Sequence, residues 1–340
     1  MFRVIKNKEN IIMATPTGMN TTQTNTVARQ TYFNRKLLKT VTEMLQMAPL
    51  CTKYSLPKNQ GTTTIRMFKR AKAERDSVKA LTEGTPDNNY SRTNLTGIDV
   101  PLKQYGDKSK ISDVASETDL FNQLNIECER MGEACALFVD YLIMSEAVQN
   151  ATKKLYAGAS DFAGLKSATA SSTTVINCSK VLAVAQLLKK MRAPKFAGKY
   201  YVAVMTPEQV YDLMQDSDWK TLNVHNRGGK AIYQNEVGMI HGVRILETTA
   251  GWTESSTEKT YDAEGGIYNA IFMGAGALGT VDLAGGKSAR KPSFIHVRGA
   301  DKSDPLDQFQ TVGWKGYFAQ KLLEPDWLVD VRTKTLMPSV

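Results

Sequence analysis

The sequence predicts an α+β fold that extends beyond one compact unit. Strand-like alternation comes first along the chain, a long helical period follows, a lobe of strands and helices comes next, and strands close the chain. With 340 residues, 42% of them hydrophobic, the chain exceeds what one hydrophobic core usually organises. We therefore expect two lobes, or one core with long extensions.

Residues 1–60 are predicted to be an N-terminal arm. Residues 13–30 are rich in Thr and Asn and have little to bury, which favours a segment that is ordered only by a partner. Apolar residues then recur at helical spacing until Pro49: Leu37, Leu38, Val41, Leu45 and Ala48. The sequence leaves open whether Met1 or Met13 begins the mature chain, and the first residues lack the features of a secretory signal.

Residues 61–112 predict a long basic hairpin. The stretch TTTIRMFKR alternates as a strand does, LTEGTPDNNY carries turn residues, and TGIDVPLKQYG with KSKIS predicts the returning strand. Only 15 of these 52 residues are apolar. Because an isolated two-stranded ribbon is marginally stable in water, we expect this hairpin to lean on a partner.

The strongest helical period runs from Ser116 to about Ala157. The stripe consists of Leu120, Leu124, Cys128, Met131, Cys135, Phe138, Leu142 and Val148. We predict one amphipathic helix of roughly 60 Å, at about 1.5 Å per residue, that ends near Gly158. Its apolar stripe is interpreted as buried packing, with no cofactor site.

The C-terminal half alternates between helices and strands. Ser179 is predicted to cap the helix KVLAVAQLLKKMRA, which Pro194 ends and the strand KYYVAVM follows. Thr206-Pro207-Glu208-Gln209 predicts a capping box that opens a further helix. EVGMIHGVRILETT predicts a turn and a strand. TVGWKGYFAQKLLEPDWLVDVRT predicts the closing strands, with Trp327, Val329 and Val331 on one face.

A glycine-rich stretch, AIFMGAGALGTVDLAGGKS, contains the spacing of a dinucleotide fingerprint at Gly274, Gly276 and Gly279. That site requires a helix after the glycines, whereas TVDLAGGKSARKP has β-branched residues, a Gly pair and a Pro. We therefore interpret the glycines as bulges or close backbone approach in a buried strand.

No catalytic or metal site is predicted. The four cysteines include no C-x-x-C pair, and the three histidines lie far apart, so buried cysteines are the favoured interpretation and no cofactor is expected. The longest apolar run, ACALFVDYLIM, is broken by Asp140, and no membrane segment is expected.

The charge is concentrated at the front of the chain. Residues 1–112 contain 19 Lys and Arg against 8 Asp and Glu, whereas residues 113–340 contain 24 against 26. Such asymmetry favours an acidic partner surface, either nucleic acid or a neighbouring protein, although a solvated basic face explains it equally well.

Six segments in order carry a family resemblance. They are GTTTIRMFKR, ALTEGTPDN, QYGDKSKISD, NEVGMIHGVRILETT, AIFMGAGALGTVDL and DPLDQFQTVGWKGYFAQKLLEPDWLVDV. From Tyr32 to Arg332, the chain resembles the major capsid proteins of N-four type podophages, which have the Hong Kong 97 type fold of tailed-bacteriophage capsids. The chain departs from the family pattern at the polar arm, in residues 251–264 and at KSKISD.

The resemblance implies a domain layout. Residues 1–60 would be the N-terminal arm, 61–112 the E-loop that reaches over the adjacent subunit, 113–178 the P-domain with its spine helix, 179–265 the A-domain, and 266–340 the return to the P-domain. It further implies a non-enzymatic subunit that assembles as pentamers and hexamers of an icosahedral head around double-stranded DNA. The head would form in the host bacterial cytoplasm, with scaffolding, portal and decoration proteins as further partners.

We predict two sets of basic contact residues. The hairpin set, for acidic patches on a neighbouring subunit, is Arg66, Lys69, Arg70, Lys72, Arg75 and Lys79. The arm set, for packaged DNA or for subunit pairing, is Arg29, Arg35, Lys36 and Lys39.

Three alternatives remain open at this point. An encapsulin-like nanocompartment would share the fold and enclose cargo enzyme. A nucleotide-binding oxidoreductase would use Gly274, Gly276 and Gly279. A basic nucleic-acid-binding protein would bind free DNA with a steep salt dependence.

Overall fold

A computed structural model describes residues 36, 37, 39, 46–54, 64–70, 80, 83–84, 95–118, 122–225, 236–249, 266–281, 292–299 and 305–337. Fourteen strands lie in this part of the chain. They are β1 Thr52–Tyr54, β2 Thr64–Arg70, β3 Leu95–Pro101, β4 Lys103–Ser112, β5 Lys154–Tyr156, β6 Tyr201–Met205, β7 Glu236–Ile240, β8 Val243–Glu247, β9 Tyr268–Met273, β10 Leu278–Val281, β11 Ser293–Val297, β12 Phe309–Phe318, β13 Gln320–Leu322 and β14 Leu328–Thr333.

Six α-helices lie entirely in the same part of the chain. They are α1 Asp113–Thr118, α2 Gln123–Asn150, α3 Phe162–Ser167, α4 Cys178–Lys190, α5 Pro207–Gln215 and α6 Ser217–His225. Short 3-10 helices within the described residues include Ala48–Leu50 and Pro325–Trp327. Among the helices of the described residues, none combines the length and the hydropathy that a membrane span needs.

The strands form four sheets within the described residues. The largest has the order β5-β14-β9-β6-β8-β7, a second has the order β11-β12-β4, a third has the order β1-β10-β13, and β2 pairs with β3 alone. Antiparallel pairs dominate, and helices interrupt the strand order, so the predicted α+β class is confirmed.

Helix α2, the spine helix, packs between two of these sheets. Its buried face includes Cys128, Met131, Cys135 and Val148, as the stripe predicts. The same core cluster contains Val312 and other apolar residues of the sheet β11-β12-β4, together with residues of the six-stranded sheet. Apolar surface removed from water on both sides makes this helix the centre of the largest core.

The six-stranded sheet has both faces covered. Along β6, Val202 and Val204 face the spine-helix core, whereas Tyr201, Ala203 and Met205 face a second core beneath helices α4 and α5. A strand buried on both faces needs a continuous apolar run, and this explains the sequence YVAVM. The predicted strand and the following capping box at Thr206 and Gln209 are both present.

A buried ion pair lies within β14, the strand between β5 and β9 in the six-stranded sheet. The Arg332 Nε donates to Asp330 Oδ2 at 2.9 Å, and neither side chain is exposed. The guanidinium also lies over the rings of Tyr156 and Phe162, with 5.5 Å and 5.7 Å to the ring centroids. Removing either partner would leave the other as an uncompensated buried charge, so the pair is needed for folding. Because Arg332 also contacts Tyr156 of β5 and Phe162 of α3, it joins these two elements to β14.

The spine helix is shorter than predicted. The helical period over 116–157 is divided between α1 and α2, and Asn122 caps α2 by accepting a hydrogen bond from the Asn125 amide at 3.3 Å. With 28 residues it is about 42 Å long, not 60 Å. It ends at Asn150 because residues 154–156 pair in parallel with β14, and the predicted stop, Gly158, lies in the turn beyond that strand.

The returning strand of the predicted hairpin is also divided. Strand β3 pairs with β2, but β4, within the predicted segment 61–112, pairs along its whole length with β12. The predicted segments 179–265 and 266–340 share the six-stranded sheet through β6 and β9. The domain boundaries drawn from the sequence stay predictions.

A buried carboxylate attaches the end of the arm to the spine helix. The Asp140 side chain accepts hydrogen bonds from the amides of Gln46 at 2.9 Å and Met47 at 3.1 Å. Burial raises the pKa of Asp140 to about 6, although bonds from the amides of residues 46–48 oppose this rise. The acid that interrupts the apolar run therefore holds a turn located more than 90 residues away.

This pKa predicts a pH dependence of stability. Because the folded-state pKa lies above the unfolded value, the stabilisation is fully present below about pH 4 and is lost as pH rises through about 6. Relative to Asp140→Asn, the wild-type chain should therefore lose about 1.4 kcal/mol in free energy of unfolding between pH 5 and pH 7.5, because most of the titration in this window is that of the folded-state carboxyl. Urea unfolding of both unassembled chains measures this. Parallel profiles, or a wild-type chain that gains relative stability with rising pH, would contradict it.

Candidate assembly interface

The glycine stretch forms a turn between two strands. Strand β9 ends at Met273, Gly276 takes a φ of +77°, and β10 begins at Leu278, so no helix N-terminus faces the glycines. A Cβ at Gly274 would lie 2.8 Å from the Pro194 carbonyl oxygen, and one at Gly279 would lie 2.9 Å from Met67 Sδ. The interpretation as close backbone approach is confirmed, and the geometry of a dinucleotide site is absent from this turn.

The cysteines pack as buried apolar side chains. All four are free thiols in the interior, and burial raises the pKa of Cys135 to about 12. A thiol with so high a pKa carries almost no thiolate at neutral pH, which argues against a nucleophile. Within the described ranges, no group of three or more His, Cys, Asp and Glu side chains is arranged to hold a metal ion.

The hairpin of β2 and β3 has one buried face. Ile65, Met67 and Val100 are nearly inaccessible and contact Val281 of β10 and Leu323 after β13. The Tyr54 hydroxyl also donates to the Phe68 carbonyl at 3.3 Å. The part of the hairpin near its base is therefore anchored to its own subunit, and this part does not depend on a partner, contrary to expectation.

The opposite face of the hairpin is exposed. Phe68 on β2 is 56% exposed and Leu95 on β3 is 65% exposed. Strand register places both on the same side as Arg66 and Asp99. This side, the outer hairpin face, consists of Arg66, Phe68, Leu95 and Asp99. It combines apolar side chains with charged groups, the combination found in protein interfaces.

The outer hairpin face carries its own ion pair. The Arg66 guanidinium donates two hydrogen bonds to the Asp99 carboxylate, each at 2.8 Å. These bonds hold the pKa of Asp99 below its usual value. Arg66, predicted to contact a neighbouring subunit, thus already has an acidic partner in the same hairpin, directly opposite in the register.

Lys69 also has a partner within the subunit. Its ammonium lies 2.9 Å from the Glu324 carboxylate, whose side chain is only 6% exposed. This contact joins β2 to the segment that follows β13 and reinforces the anchored face of the hairpin. The backbone of Arg70 pairs with Leu95. Lys72, Arg75 and Lys79 lie outside the described residues.

The arm set is only partly described. Lys36 lies 2.7 Å from Glu129 of the spine helix, and Lys39 lies on an exposed helical position. Arg29 and Arg35 fall outside the described residues. The structure therefore brings Lys36 against its own subunit and leaves the other predicted contacts of the arm untested.

Sequence reasoning missed the partners and the apolar contacts. Asp99 and Glu324 were not singled out, because their positions opposite basic residues depend on strand register and on a fold contact between distant segments. Phe68 and Leu95 carry a signal in the sequence, since each is a large apolar residue on the side of its strand that also bears charges.

The chain resembles known capsid structures across most of its length. The capsid of Ralstonia phage GP4 shares 13% identity over 86% of this chain and 88% of that chain, with a TM-score of 0.63. The capsid of cyanophage P-SCSP1u shares 14% identity over 84% and 87%, with a TM-score of 0.59. The SrpI encapsulin of Synechococcus elongatus shares 10% identity over 86% and 89%, with a TM-score of 0.52. These likenesses establish the Hong Kong 97 type fold.

Sequence comparison gives the family. No curated protein matches the chain. The profile of the family described as phage capsid protein matches residues 145–315, which is half of the chain. The chain therefore belongs to the phage capsid protein family, and it is a major capsid subunit of the virion shell.

Proposed function

We propose that this subunit assembles into an icosahedral head, as pentamers and hexamers, around double-stranded DNA, and that its role involves no catalysis. The observation that carries the proposal is the two-sided hairpin. Its inner side is buried in its own subunit, and its outer hairpin face exposes Phe68 and Leu95. An exposed apolar strip on an anchored strand pair is suited to a contact with a neighbouring copy.

Repetition of one contact supports a shell. When identical subunits are related by rotation, each copy gives and receives the same contact, and the ring closes without leaving an unused interface. A single hairpin contact of this size is weak, but its repetition around each ring stabilises the whole assembly. The anchored face supports this role, since Lys69 and Met67 hold the hairpin in a defined direction.

The domain roles follow the same proposal. Residues 61–112 would form the E-loop over an adjacent subunit, residues 113–178 would carry the spine helix of the P-domain, and residues 179–265 would meet at the centre of each ring. Residues 266–340 would return to the P-domain. The hairpin cations Arg66, Lys69, Arg70, Lys72, Arg75 and Lys79 remain proposed neighbour contacts, with Arg66 and Lys69 also engaged within their own subunit.

Further partners are proposed on charge alone. The arm set of Arg29, Arg35, Lys36 and Lys39 would approach packaged DNA through non-specific contacts or would pair subunits. Scaffolding, portal and decoration proteins complete the proposed set of partners.

An encapsulin-like nanocompartment is the second candidate, and the likeness to the SrpI encapsulin favours it at the level of fold. The family match favours the phage head, and the contents of assembled shells discriminate between DNA and cargo enzyme. The oxidoreductase reading lacks support, because strand β10 follows the glycines where a dinucleotide site needs a helix.

Assembly should depend on Phe68 more than folding does. Phe68→Ser should leave the thermal unfolding of the isolated subunit nearly unchanged, because the ring is mostly exposed, and should reduce the yield of shells severalfold. Sedimentation velocity measures shells and free subunits together. The matched control is the adjacent buried residue. Met67→Ala should lower the subunit's free energy of unfolding by about 2–5 kcal/mol. Normal shell yield from Phe68→Ser would contradict the proposed interface.

A charge exchange separates the two roles of Arg66. Arg66→Glu should impair assembly, because it places two acids opposite each other in the hairpin and removes a proposed neighbour contact. The double variant Arg66→Glu with Asp99→Arg restores the pair with the charges exchanged. If Arg66 contacts a neighbour, the double variant should regain subunit stability but not shell yield. Full recovery of shell yield would restrict Arg66 to its pairing with Asp99.

A further inference from the structure

The three-stranded sheet of β11, β12 and β4 has one face without a covering layer in the described part of the chain. Its other face packs on the spine helix through Ile111, Phe294, Val312 and Trp314. Because side chains alternate along a strand, the residues between these point away from the helix. The central residues of this open sheet face are Gly106, Lys108, Lys110, Ile295, Val297, Thr311, Gly313 and Lys315, and Gln104, Ser112, Ser293, Phe309 and Tyr317 lie at its ends.

The open sheet face carries charges of one sign. Lys108, Lys110 and Lys315 are exposed on it, and none of its described residues is acidic. Asp107 lies on the opposite face, where its carboxylate is 3.9 Å from Arg130 of the spine helix. Within the described residues, the ion pairs involve none of the three lysines, and the Lys110 ammonium lies 4.0 Å from the centroid of the Phe309 ring. A surface of this kind attracts an acidic partner.

An apolar trough lies among the lysines. It has a volume of about 500 Å³, and its lining residues are Gly106, Asp107, Lys108, Ile295, Val297, Thr311, Gly313 and Trp314. Strand alternation directs the Asp107 and Trp314 side chains toward the spine helix, so these two residues line the trough through their backbone. A Cβ at Gly106 would lie 2.5 Å from the Trp314 carbonyl oxygen, and one at Gly313 would lie 2.8 Å from the Asp107 carbonyl oxygen. No other residue fits at these positions without a backbone shift, so the floor is kept free of side chains. Val297, at the edge of the trough, is 55% exposed.

We propose that the open sheet face binds an extended acidic polypeptide segment of a different protein, with apolar side chains in the trough and carboxylates against Lys108 and Lys315. The positive charges supply steering and orientation, and the trough supplies apolar contact. A second copy presenting the same face would bring like charges together, which disfavours a two-fold contact of the face with itself. Non-specific DNA binding needs cations alone and gives no role to Val297 and the trough. The surface lies apart from the hairpin of β2 and β3. Its strand β4 belongs to residues 61–112, and the proposal uses the part of that segment that pairs with β12 in its own subunit.

Defined probes test the proposal on the full-length chain. The main probe is a fluorescein-labelled twelve-residue peptide that alternates Glu and Val. Two comparison probes have matched charge: a peptide alternating Glu and Ser, and a short DNA duplex. Fluorescence anisotropy at low and high ionic strength should rank the Glu–Val peptide as the strongest ligand, with affinity that falls as salt screens the lysines.

Two variants identify the surface. Lys108→Gln with Lys315→Gln should weaken binding of the Glu–Val peptide by about tenfold and reduce its salt dependence. Val297→Ser should weaken it by about threefold and leave the Glu–Ser peptide unaffected. The matched control, Lys189→Gln with Lys190→Gln, removes two exposed cations from the end of helix α4 and should bind as the wild type does. Thermal unfolding of each variant checks that the subunit remains folded.

Four results would overturn the proposal. Equal binding of the two peptides would remove the apolar trough from recognition. Stronger binding of the DNA duplex, lost in the Lys108 and Lys315 variant, would make the face a nucleic-acid surface. Failure of the Glu–Val peptide to bind at millimolar concentration, or equal losses in the control variant, would leave the face without the proposed partner.

Discussion

The packing of the spine helix between two sheets is the constraint on which the rest of the structure depends. One side of this helix is covered by the sheet β11-β12-β4 and another by the six-stranded sheet. The apolar residues of the helix and of both sheets form one continuous cluster. Removal of this surface from water supplies the main driving force for bringing distant segments together. Asp140 on the same helix also accepts hydrogen bonds from the backbone amides at the end of the arm. The arm and the sheets therefore all contact the spine helix.

The surfaces left exposed follow from this arrangement. Sheet β11-β12-β4 uses one face on the helix, and the alternation of side chains leaves its other face to solvent. The hairpin of β2 and β3 likewise buries one face against β10 and the segment after β13 and exposes the other. A capsid subunit needs both a rigid interior and uncovered surfaces for its neighbours, and two-faced strands provide both.

Local signals predicted much of the fold. The run YVAVM, the capping box at Thr206 and the apolar stripe of the spine helix each specify their element through neighbouring residues, and the structure has all three. The errors concern long-range pairing. Residues 154–156 continue a helical pattern locally but pair with β14, and β4 leaves the hairpin because β12 offers a longer partner. Pairing between segments so far apart is not encoded in any short window of sequence.

The candidate contact residues show the same contrast between local signals, which the sequence contains, and long-range partners, which it does not reveal. Basic residues of the hairpin were recognisable from composition, but their partners Asp99 and Glu324 became evident only with the strand register and the tertiary contact. Asp140 was visible in the sequence as the one acid in an apolar run, and such an acid is expected to be hydrogen-bonded when buried. Its hydrogen-bond donors could not be predicted, because they are backbone amides of the arm more than 90 residues earlier in the sequence.

Negative-stain electron microscopy of the purified chain across a range of ionic strength tests the central claim most directly. Assembly through repeated contacts between copies predicts closed shells, tubes or rings of five and six subunits, with DNA or cargo in the shells separating the phage head from the nanocompartment. Uniform single subunits at every ionic strength, stabilised against heat by a nicotinamide dinucleotide, would contradict it.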